Sequence, residues 1–99
     1  MRSVDLAIYA DALAGEAASL AARAERAQSR VRQAAIERAA ARDLAPETVE
    51  RLHELGLLGR VDERAARGEL REAKHALIAL EELQVWVERR LAEDGEDHA

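Results

Sequence analysis

The sequence predicts an all-α protein. It should have a long N-terminal helix and a C-terminal helix forming an open helical hairpin, joined by one or two short helices and completed as a helical bundle by self-association. Three observations carry that expectation. Alanine supplies 23 of the 99 residues, and leucine, glutamate and arginine much of the rest, with one proline and five glycines. Such a composition goes with long helices and coiled coils. Apolar residues recur three and four positions apart over residues 6–41 and again over 70–91, the spacing that lines up one face of a helix. Finally, both periodic tracts are long for a chain of this size, and length alone constrains how they can pack.

The first helix is expected over residues 3–42. Ser3 offers an oxygen to the free N–H groups of the first turn, and Asp5 complements the positive end of the helix dipole. Pro46 stops it by pushing residue 45 out of the α region. Written in sevens, one seam position reads Leu6, Leu13, Leu20, Ala27, Ala34, Ala41, and the other Ala10, Ala17, Ala24, Val31, Arg38. A flanking row adds Ala7, Ala14, Ala21 and Ala35. A buried methyl contributes only about 0.8 kcal/mol, but methyl groups let two helix axes approach toward the short end of the roughly 8–10 Å range. Glu16, Arg23, Arg30 and Glu37 line the flank of this seam, so the alanines read as a packing surface and not merely as helix formers. Gly15 is the interior position at which this helix is open to a break.

Residues 46–68 are expected to form a short helical connector. Pro46 opens it at the position where a missing N–H costs nothing, and Val49, Leu52 and Leu55 give it a small apolar face. Gly56 should cap it, with Leu57 returning to Leu52 as in a Schellman motif, and a further helical turn or two should close at Gly68. The last helix is expected over residues 69–92. Leu70, Ala73, Leu77, Leu80, Gln84, Val87 and Leu91 form one seam; Ala76, Ala79, Leu83 and Trp86 form a second stripe, with Ile78 and Val85 beside it. An apolar arc this wide goes with burial on two sides. Residues 93–99 hold four acidic groups and His98 and are expected to be a frayed, solvated tail. The whole of 1–99 is expected to be a single helical domain.

At 1.5 Å per residue the first helix is about 60 Å long and the last about 36 Å, against a radius of gyration near 13 Å for a compact chain of this size. Two helices cannot enclose a core, and a second copy would complete a four-helix bundle. A homo-oligomer, a dimer first, is therefore expected. Its interface is expected on Leu6, Ala10, Leu13, Ala17, Leu20, Ala24, Ala27 and Val31 of the first helix and on Ala76, Ala79, Leu83 and Trp86 of the last.

The chemistry offers less. Glu50–His53 and Glu72–His75 are both Glu-x-x-His pairs, the spacing that carboxylate-bridged di-metal bundles use because i and i+3 side chains project from one face. Glu16, Glu25 or Glu37 would have to complete such a site. Against it, His75 sits opposite the Leu70–Leu77–Leu80 seam, and His53 lies one turn before a glycine cap, so no metal and no cofactor are expected. The hydroxyls of Ser3, Ser19, Ser29 and Thr48 lack the Gly-x-Ser-x-Gly turn of an activated serine, and "LGLLG" lacks the lysine and strand context of a phosphate loop. No intrinsic catalysis is expected.

Arg23, Arg26 and Arg30, with Gln33, recur on one helical face, as phosphate-binding stripes do. The net charge of −5, a single tyrosine and tryptophan as the only aromatics, and the acids Glu25 and Glu37 among these arginines all speak against nucleic acid. So do Asp62 and Glu63 in the loosely helix-turn-helix-like segment 47–68. Arginine provides 14 of the 15 basic residues and Asn and Phe are absent, which fits the codon bias of a GC-rich bacterial genome. No apolar run reaches membrane-spanning length, no apolar leader with a cleavage site stands at the start, and cysteine is absent; a soluble, cytoplasmic protein is expected. The functional expectation is a small helical protein–protein interaction module, or an assembly or regulatory subunit, acting through self-association on a partner the sequence does not name. The alternative is a helical metal-binding or weak nucleic-acid-binding protein.

Overall fold

The computed structural model describes residues 1–97. Three helices occur among them, α1 (Ser3–Asp43), α2 (Pro46–Glu54) and α3 (Glu63–Asp97), with no strand. The long helix α1 packs against α3 in a hairpin. The all-α architecture expected from composition and periodicity is therefore present.

Helix α1 runs unbroken through Gly15, where a side chain would meet no atom within 4 Å. Helix α2 starts on Pro46 as expected and ends in the anticipated motif. Gly56 has φ +70°, its N–H donates to the His53 carbonyl at 3.0 Å, and the Leu57 N–H donates to the Leu52 carbonyl at 2.8 Å. Both are the reversed hydrogen bonds of a Schellman cap, and only a residue without Cβ enters that conformation freely.

The third helix departs from the expected boundaries at both ends. It begins at Glu63, six residues before the expected start at 69. Residues 55–62 form a loop, so the connector is α2 plus this loop and no second short helix closes at Gly68. The cause is Asp62, whose carboxylate accepts the Ala65 N–H at 3.1 Å while its carbonyl accepts the Ala66 N–H at 3.0 Å. That N-cap outweighs Gly68, which sits inside the helix with nothing within 4 Å of a would-be side chain; an interior glycine costs only about 0.5–1 kcal/mol relative to alanine. At the other end α3 continues to Asp97 in place of fraying from residue 93. Acidic groups oppose the dipole only through the last turn, a few tenths to about 1 kcal/mol, which is too little to unwind a helix of this length. His98 lies outside the described residues.

Contacts divide the chain into two units. The first combines Met1–Ala22 with Glu72–Ala99. Its core is a cluster of Leu6, Leu13 and Val87, against which Ala10, Leu80, Leu83 and Leu91 pack. The second is Arg23–Arg71. Its buried residues are all alanines, Ala27, Ala34 and Ala66, as expected where two helix backbones come close. Both seams read from the sequence coincide with the covered faces: the α1 seam is buried or half-buried from Leu6 to Ala34, and every member of the Leu70–Leu91 seam is too. At the far end of α1 the match fails. Arg38 and Ala41 are exposed, and so is the whole flanking row Ala7, Ala14, Ala21 and Ala35, because one partner helix covers a narrower arc than the pattern of small residues spans.

Candidate functional site

Ion pairs on the surface of the second unit tie its helices together. Arg30 on α1 donates to Glu69 on α3 at 3.0 Å. Glu63, the first residue of α3, accepts from Arg67 one turn on, at 2.9 and 3.2 Å, and from Arg38 of α1 with both carboxylate oxygens, at 2.7 and 2.9 Å. The hydrogen bonds from Arg67, aided by the charge of Arg38, hold the Glu63 carboxyl below the usual carboxylate range. The salt link explains why an acid stands at this point of the chain and leaves its lone pairs engaged by cations of the same molecule.

Beside it lies an open groove of about 200 Å³ whose walls include Ala34, Ala41, Leu58, Val61 and His53. Gly59, with φ +75°, underlies the His53 ring: a Cβ there would stand 3.2 Å from Nδ1. His53 thus packs on the loop that follows its own helix. Glu50 and His53 are placed on α2, and Glu72 and His75 on α3, all four exposed. Among the described residues no three His, Asp or Glu side chains gather as a metal ion requires. Arg23, Arg26 and Arg30 do share one face, lining an open cleft of about 240 Å³ with Glu69. Its Arg30 is already bound to that acid.

The expected interface residues separate into two groups. Leu6, Leu13 and Ala27 are buried within the chain, at 3%, 7% and 0% exposure, and have no surface left to offer. Ala10, Ala17, Leu20, Ala24 and Val31 are half-buried. On α3, Ala76 and Leu83 are half-buried, whereas Ala79 is open and Trp86 keeps 45% of its surface exposed, with the Arg90 guanidinium 5.9 Å from the ring centre. On the other flank of the same helix Ile78 is 57% and Val85 44% exposed. The sequence sets these two beside the Trp86 stripe, and in the structure they lie on a separate row, bordered by Glu81, Glu82 and Arg89. No helix among the described residues is long and apolar enough to cross a membrane.

No protein-family model matches the chain, and neither a curated protein nor a solved structure resembles it.

Proposed function

We propose that this chain is a small interaction module of the cytoplasm that works by associating with a second copy of itself, and through that assembly with another protein as an adaptor or regulatory subunit. It performs no catalysis of its own. One observation carries the reading: α3 buries one seam against α1, yet its outer arc still presents Trp86, Ile78 and Val85 to solvent. Large apolar groups left exposed on both flanks of one packed helix point to an interaction surface. Tryptophan in particular tends to dominate interfaces.

Trp86 is the only tryptophan, which makes the test direct. Dilution from high micromolar to nanomolar concentration should shift its emission to the red as copies separate, and Trp86→Ala should weaken association while helicity is retained. Emission independent of concentration, with a single-chain mass throughout, would refute self-association.

A further inference from the structure

One row along α3 is spaced the same forwards and backwards, and residues at mirrored positions are opposite in size or charge. Glu72, Ala76, Ala79, Leu83, Trp86 and Arg90 follow one another at intervals of four, three, four, three and four residues, a coiled-coil spacing that borders the seam α3 spends on α1 and shares with it only the half-buried Leu83. All six belong to the first unit, and all keep accessible surface. We propose that this row is the contact with a second copy, the two α3 helices lying antiparallel about a two-fold axis level with residue 81. The proposal rests on the self-association reading above and names its surface and register.

The two-fold decides the pairing, because in an isologous contact each residue meets the one at the mirrored position. Glu72 then faces Arg90, Ala76 faces Trp86 and Ala79 faces Leu83, each pair occurring twice. Every large side chain meets a methyl, which leaves the room that an indole and an isobutyl group need between close helices. Each end closes with opposite charges. A parallel pairing would set Glu72 against Glu72 and Arg90 against Arg90. The neighbouring exposed row fails the same test: folded antiparallel at its own midpoint it brings Arg71 opposite Arg89 and Ile78 opposite Glu82. Of these two rows on α3, the Trp86 row is the one complementary to itself in both size and charge.

Charge exchange tests the pairing. By sedimentation of the full chain, Glu72→Arg and Arg90→Glu should each raise the dimer dissociation constant roughly 10-fold, since each turns two attractions into repulsions, and the double exchange should bring it back to within about 3-fold of the original. Singles without effect, or a double exchange that does not recover, would overturn the register while leaving self-association standing. A wild-type chain that sediments as a monomer would overturn both. The chain has no cysteine, so an independent readout exists for variants that fold poorly. A mixture of Ala79→Cys and Leu83→Cys chains should form the mixed disulfide on oxidation, and Ala79→Cys alone should form none. A homodisulfide of Ala79→Cys chains would mean a parallel dimer and would overturn the proposal.

Discussion

Replacing Ala27 by leucine should destabilise the fold, although leucine is more hydrophobic and is itself a good helix former. Ala27 has no exposed surface at all. Leucine adds three carbons, worth about 2.4 kcal/mol if they could be buried in vacant space at roughly 0.8 kcal/mol each. In the second unit, however, the buried positions are filled by alanines alone, so the added atoms must force the helices apart. Overpacking of this kind costs about 1–3 kcal/mol net. With about 4–8 °C lost per kcal/mol in a domain of this size, a melting temperature lower by roughly 5–20 °C is expected. Urea and thermal unfolding followed by far-UV circular dichroism would measure it, at one fixed protein concentration because association shifts apparent stability. Ala35→Leu is the control: Ala35 is exposed, and the change should stay within about 0.5 kcal/mol of neutral. An Ala27→Leu chain as stable as the original would refute close packing as the reason for the alanine seam.

Three further outcomes follow from particular contacts. Gly59→Ala should cost about 1–2 kcal/mol, because φ is +75° and the new methyl would press on His53; equal urea midpoints would show that the loop adapts freely. The Glu63 carboxyl titrates below its ordinary value near 4.3, so its contribution is complete above that pH and disappears as pH falls through the lower folded value. Glu63→Gln should therefore destabilise at pH 7 and match the wild type in strong acid, and a difference that persists unchanged into acid would rule out the ionised link. Gly15→Ala should raise stability by about 0.5–1 kcal/mol, since α1 is helical there and open around the new methyl; a loss would mean that α1 bends at Gly15.

The parts of the fold that could be read in the sequence are those in which one local rule acts alone. The seven-residue repeat places Leu6, Leu13, Ala27 and Ala34 on the covered face whatever α1 packs against. Pro46 and Gly56 bracket α2 because proline and glycine carry their backbone preferences with them. The start of α3 was hidden because two signals conflict. Gly68 reads as a stop and Asp62 as a cap, and only the hydrogen bond from Ala65 to Asp62 decides between them. The row Ala7–Ala35 is exposed in the single chain, and the sequence is ambiguous there because alanine suits a close contact and a solvated helix equally well. Apolar character spreads around most of α3, and the buried seam is what separates the flank of Trp86 from that of Ile78 and Val85. Glu50–His53 and Glu72–His75 lie exposed on α2 and α3, and the i, i+3 spacing they share specifies only one helical face. A ligand set needs further donors converging on the same point.

The central claim, self-association, is open to one measurement above the others. Sedimentation equilibrium of the full chain across a range of micromolar concentrations should give a mass rising toward twice the 10.9 kDa of a single chain. A mass that stays at 10.9 kDa through the highest concentration would contradict it.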